Sequence, residues 1–94
     1  MVESLETIQI TSQDDPRPAL NTLNIRLYNH HSCPFSEKVR LALAAKDVLY
    51  QSVEIDLGKK PQWHLDLGGT VPILELTDGT LINDSRISME YLEE

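Results

Sequence analysis

The chain has 94 residues, 40% apolar and 24% charged, which describes one small domain and excludes a chain disordered throughout. Eight basic residues against 15 acidic ones leave a net charge of −7, the wrong sign for gripping nucleic-acid phosphates. A lone cysteine excludes a disulfide framework and suits a reducing, cytoplasmic setting; no apolar run approaches the roughly 18 residues of a membrane span, and the acidic N-terminus is unlike a secretory signal.

Residues 1–22 read as an N-terminal extension, partly flexible. Ser12-Gln13-Asp14-Asp15-Pro16-Arg17-Pro18 is polar, with two prolines that interrupt helix and sheet. Leu5 to Ile10 alternates weakly and could add a short edge strand. Residues 23–94 carry the domain proper. Leu23 to Tyr28 alternates with period two and predicts a strand. From Pro34 to about Lys46 the period becomes helical, with Phe35, Val39, Ala42, Leu43 and Lys46 on one stripe. Tyr50 to Ile55 alternates again, with Tyr50, Val53 and Ile55 as core candidates. Pro61 to Leu65 predicts a short helix that Gly68-Gly69 ends. Val71 to Leu76 is a strand, Asp78-Gly79 a hairpin turn, and Thr80 to Ile82 the returning strand. Asn83-Asp84-Ser85 offers caps for a last helix carrying Ile87, Tyr91 and Leu92. The order β-α-β-α-β-β-α predicts an α/β sandwich with a mixed sheet of four strands and helices on both faces.

Cys33 stands where the first strand gives way to the first helix. Backbone N–H groups and the positive end of the helix dipole there favour the thiolate, which is the nucleophile. Pro34 suits the first helical position, where a missing N–H costs nothing. A Cys-x-x-Cys redox pair would place its second sulfur at Ser36. This chain cannot close an internal disulfide, so its thiol chemistry must recruit an external thiol.

Three segments converge in such a topology: Cys33, Thr70-Val71-Pro72, and Asn83-Asp84-Ser85. Pro72 fits a cis-proline that turns the Val71 backbone toward the thiol, where it would pair with an extended peptide. Asp84 and Ser85 would hold an ammonium and a carboxylate together, and Lys60 a second carboxylate. A ligand with two carboxylates, one α-amine and one thiol fits this set.

The ordered series Cys33-Pro34-Phe35-Ser36-Glu37-Lys38-Val39-Arg40, Lys60-Pro61-Gln62-Trp63, Val71-Pro72-Ile73-Leu74-Glu75 and Asp84-Ser85, with Ile87 and Glu90 to Glu94, resembles the N-terminal thioredoxin-like domain of omega-class glutathione transferases. The resemblance runs from about Asn24 to Glu94 and implies glutathione as co-substrate. It implies that Cys33 forms the mixed disulfide, Phe35 lines the site, Lys60 meets the glycyl carboxylate, and Val71, beside Pro72, pairs with the cysteinyl backbone. Asp84 and Ser85 would hold the γ-glutamyl end. The chain departs from the family in having Asp84 for glutamate and a shorter Gly68-Gly69-Thr70 loop. The 94 residues are expected to correspond to that N-terminal domain alone, with the helical C-terminal domain, which in the family supplies much of the second-substrate pocket and dimer interface, absent.

The implied activity is a glutathione-dependent thiol transfer, either deglutathionylation or dehydroascorbate reduction, on a small-molecule or protein disulfide. The rival reading is a non-catalytic interaction module, whose partner or second copy would cover the face that a helical domain normally packs on. An iron–sulfur cluster bridged between two chains through Cys33 and glutathione is a third. His30 and His31 invite a metal reading; consecutive histidines are expected to point apart, and no metal site is assigned. Tyr28 and Trp63 are expected to pack, Lys60 is a turn lysine or a ligand-binding one, and Asp84-Ser85 caps a helix whether or not it also binds.

Overall fold

The structure, a computed structural model, describes residues 7–83. It contains β1 (Ile8–Ile10), β2 (Ile25–Asn29), α1 (Pro34–Ala45), β3 (Tyr50–Ile55), α2 (Gln62–Asp66), β4 (Ile73–Glu75) and β5 (Leu81–Ile82). The predicted last helix lies outside the described residues.

The strands form one mixed sheet in the order β1-β3-β2-β4-β5. β1 and β2 run parallel to β3, whereas β4 is antiparallel to β2 and β5. The sheet has five strands rather than the expected four. The fifth is β1, whose Ile8, Gln9 and Ile10 pair with Val53, Glu54 and Ile55 at the free edge of β3.

Period-two alternation sends side chains to opposite faces, and each face is covered. Leu27 and Leu74 form one buried cluster with Val39 and Leu43 of α1. Tyr28, Val53, Ile55, Ile73 and Ile10 form the other, closed by Trp63 and Leu67 from α2 and the turn after it. Tyr28 and Trp63 therefore pack, as expected, with ring centroids 5.8 Å apart. Phe35 leaves the predicted stripe: it is 53% exposed, and Ser36 is buried beside Val39 and Leu43 instead.

The face opposite α1 also carries a buried ionic cluster. Arg26 and Glu75 are direct cross-strand partners, 4% and 1% exposed, with Nη1 and Oε1 3.2 Å apart. Glu75 also accepts from the Tyr28 hydroxyl at 3.0 Å and from Arg17 at 2.6 Å. Arg26 donates onward to Gln51 and to the Pro18 and Ala19 carbonyls. Trp63 Nε1 donates to the Asp15 carbonyl at 2.8 Å. Side chains rooted in the sheet and α2 thus hold the Asp15–Ala19 stretch against the domain.

Candidate active site around Cys33

Cys33 is the N-cap of α1, with extended backbone (φ −83°, ψ 119°) and Pro34 as the first helical residue. Its N–H donates to the His30 carbonyl at 3.0 Å, closing the turn after β2, and its carbonyl accepts from Glu37 at 3.1 Å to start the helix. The 12-residue helix directs its positive dipole end at the partly buried sulfur.

Partial burial by itself works against ionisation of the thiol. The Ser36 backbone N–H and hydroxyl, the Phe35 N–H and the Arg40 charge outweigh it, and the pKa lies below that of an ordinary cysteine. The Ser36 hydroxyl is fully buried and makes no hydrogen bond, so its proton is uncommitted and can turn toward the thiolate. Arg40 donates to Asn29 Oδ1 at 2.7 Å and to the His30 carbonyl at 3.4 Å, tying α1 to the end of β2.

The loop before β4 faces the thiol. The Val71 carbonyl oxygen lies 3.9 Å from Cys33 Sγ, and the Val71–Pro72 peptide is cis, as expected from the sequence. Two side chains hold the preceding carbonyls. Lys60 Nζ donates to Gly69 O at 2.6 Å, and His64 Nε2 to Thr70 O at 2.8 Å. A carbonyl only accepts, so the His64 proton resides on Nε2, leaving Nδ1 buried and unpartnered. Burial keeps this histidine neutral, its pKa below the ordinary value despite the Thr70 bond, and the nearby Lys60 charge pushes the same way.

The structure thus brings Cys33, Val71 and Pro72 together, with Lys60 anchoring the same loop. Phe35 stands exposed on the first turn of α1, its ring 5.7 Å from Lys38 Nζ. Asp84 and Ser85 lie outside the described residues. Sequence reasoning passed over Ser36, Arg40 and His64. For Ser36 the signal was present: three residues beyond an N-cap is where a side chain returns to the cap. His64 gave none, because only the folded loop sets Thr70 against it.

Residues 32–94 match the family described as the glutathione S-transferase N-terminal domain. The chain belongs to this family. It is 40% identical over 72 residues to glutathione S-transferase omega-1 of Rattus norvegicus, an alignment covering 74% of this chain and 30% of that protein. It is 42% identical over 65 residues to a probable glutathione transferase of Aplysia californica, covering 67% of this chain and 70% of that one. The crystal structure of Chlamydomonas reinhardtii dehydroascorbate reductase superposes with a TM-score of 0.70 at 30% identity, covering 78% of this chain and 39% of that one. The matched region is about 30% of the length of the omega-class relatives. The fold is therefore the thioredoxin-like sandwich of that N-terminal domain, as the sequence predicts.

In this glutathione S-transferase domain Tyr28 is committed to structure. Its hydroxyl is bonded to Glu75 inside the ionic cluster, and burial raises its pKa despite the bond from Arg26. The residue at the mouth of α1 that can present an anion to a ligand is Cys33.

Proposed function

We propose that this domain binds glutathione and performs glutathione-dependent thiol transfer through Cys33 alone. The observation that carries the reading is a thiol at a helix N-terminus, its anion favoured by Ser36 and Arg40, opposite the backbone of Val71. In this scheme the Cys33 thiolate attacks the glutathionyl sulfur of a mixed disulfide. The substrate leaves as a thiolate, and glutathione stays on Cys33 as a new disulfide. A second glutathione, as the thiolate, then attacks that disulfide, releasing oxidised glutathione and regenerating the Cys33 thiolate, so one free glutathione thiol is consumed per mixed disulfide reduced. Dehydroascorbate, which has no disulfide, would follow a related route. The Cys33 thiolate adds to a carbonyl carbon, and a glutathione thiolate attacks the bound sulfur so that ascorbate leaves with the electron pair. A second glutathione resolves the Cys33 disulfide, two glutathione thiols supplying the two electrons. The likeness to the Chlamydomonas reinhardtii dehydroascorbate reductase supports this route.

Residues 23–94 are the glutathione-binding unit of this proposal and residues 1–22 its extension, working in a reducing compartment such as the cytoplasm. Val71 would receive the extended backbone of the ligand, with Pro72 beside it. Lys60, which has donors beyond the one given to Gly69, would receive a carboxylate, and Phe35 would line the opening. Asp84 and Ser85 keep the roles implied by resemblance at the γ-glutamyl end.

The test is intact-mass spectrometry after incubation with oxidised glutathione, beside a glutathione-dependent mixed-disulfide reduction assay. One adduct on the wild type, none on Cys33→Ser, and turnover only in the wild type are expected. An unmodified wild-type thiol, or equal turnover in the two proteins, overturns the proposal and favours an interaction module instead.

A further inference from the structure

His30 and His31 leave β2 directly, and the β2–β3 register sets Asn29 against Glu54, bringing Glu54 beside them. The two imidazoles do not diverge. They stack with ring centroids 4.4 Å apart and 26° between their planes. One ring nitrogen from each histidine and one Glu54 carboxylate oxygen all lie within 4.8 Å of one another. The three residues line a cavity of about 270 Å³ together with Gln9 of β1 and Thr11 just after it. We propose that His30, His31 and Glu54 form a binding site for a borderline divalent cation, with zinc the representative ion.

Two imidazoles and one carboxylate are a donor set suited to zinc, cobalt, nickel or copper rather than to calcium or magnesium, which take oxygen ligands. Bonds of roughly 2.0–2.2 Å to a common centre separate neighbouring donors by about 3–3.5 Å, so side-chain rotation alone gathers these atoms. Glu54 is already oriented for the task. Its Oε1 accepts from the His31 backbone N–H and pairs with His31 Nδ1, both at 2.7 Å. Its Oε2 has no hydrogen bond among the described residues. That contact sets a His31 ring nitrogen and a Glu54 oxygen side by side, and a shared ion would take the place of the proton between them. The His31 side chain is 76% exposed, which gives an ion a path from solvent, and the net charge of −7 favours cations at the surface. Three protein ligands leave further positions to water.

The test is zinc titration by isothermal calorimetry on reduced, untagged protein stripped with chelator. One zinc ion per chain is expected, with affinity lowered about tenfold or more by each of His30→Gln, His31→Gln and Glu54→Gln. Cys33→Ser is expected to bind zinc as the wild type does. Glu54→Gln retains the acceptor for the His31 N–H; should that variant lose its native circular dichroism, His31→Gln at its exposed position decides. Cobalt loading supplies a second readout, giving visible absorption without a thiolate charge-transfer band. No zinc uptake, uptake indifferent to all three substitutions, or uptake abolished by Cys33→Ser overturns the proposal. None of these outcomes bears on whether Cys33 forms a disulfide with glutathione.

Discussion

The carbonyl oxygen of Val71 lies 3.9 Å from Cys33 Sγ although 38 residues separate them along the chain. Each side of that approach has its own support. Arg40 ties the first helix to the end of β2, while Lys60 and His64 hold the carbonyls of Gly69 and Thr70. The two supports are separable by substitution.

On the thiol side, hydrogen-bond donors stabilise the anion, so their removal must raise the thiol pKa. Ser36→Ala is expected to move the ultraviolet thiolate titration and the pH profile of alkylation toward higher pH. Arg40→Gln acts in the same direction by a smaller amount, since its charge is the weakest of the favourable influences. A profile unmoved in Ser36→Ala would show that the hydroxyl does not face the sulfur.

On the loop side, His64→Phe keeps the volume of the ring but releases the Thr70 carbonyl. One hydrogen bond of ordinary strength corresponds to about a threefold to tenfold rise in KM for glutathione. The Cys33 titration should stay where it is, which separates positioning of Val71 from any effect on the nucleophile.

The same histidine predicts a pH signature in stability. Its folded pKa lies below the unfolded one, so the unfolded chain binds the extra proton as pH falls through the ordinary histidine range. Wild-type stability must decline there and level off once the folded pKa is passed. Subtracting the denaturation midpoints of His64→Phe across that range should expose the decline; parallel curves would refute it.

Arg26 and Arg17 both meet Glu75 but differ in burial. Arg26→Ala leaves Glu75 as an inner charge without its cross-strand partner, and loss of a buried ion's partner costs about 3–5 kcal/mol. Arg17 is 42% exposed, and pairs of that kind contribute about 0–1 kcal/mol. Urea unfolding of the two variants should show that gap; equal losses would contradict it.

Gly68 and Gly69 end α2 with φ of +121° and +68°. The second value is the left-handed region that other residues reach at a cost of about 1–2 kcal/mol, whereas the first is open almost solely to glycine. Gly68→Ala should therefore destabilise more than Gly69→Ala in thermal melts. The reverse order would mean that the 3.2 Å approach of a Gly69 Cβ to Leu65 Cδ2 dominates.

Much of this domain was readable in advance because its signals are local. The period of β2, β3 and α1, the Asp78-Gly79 turn and the proline after Cys33 depend on neighbours a few residues away. Other features depend on register. Leu5 to Ile10 alternates too briefly to announce a strand, and only the open edge of β3 makes Ile8–Ile10 one. Arg26 and Glu75 look like solvent-facing members of alternating strands until the β2–β4 pairing sets them opposite each other, in contact with Arg17, Pro18 and Ala19 of the N-terminal stretch. Phe35 has helical spacing to Val39 but precedes the part of α1 that the sheet covers.

Composition and periodicity alone determined an acidic α/β domain with one thiol at a helix N-terminus and no second thiol to pair with it. Tertiary structure decided what surrounds that thiol and which charges are buried. It also decided that two adjacent imidazoles stack beside Glu54. The reason is physical: secondary structure follows contacts near in sequence, whereas the environment of a side chain follows strand register and loop closure, which join residues far apart in the chain.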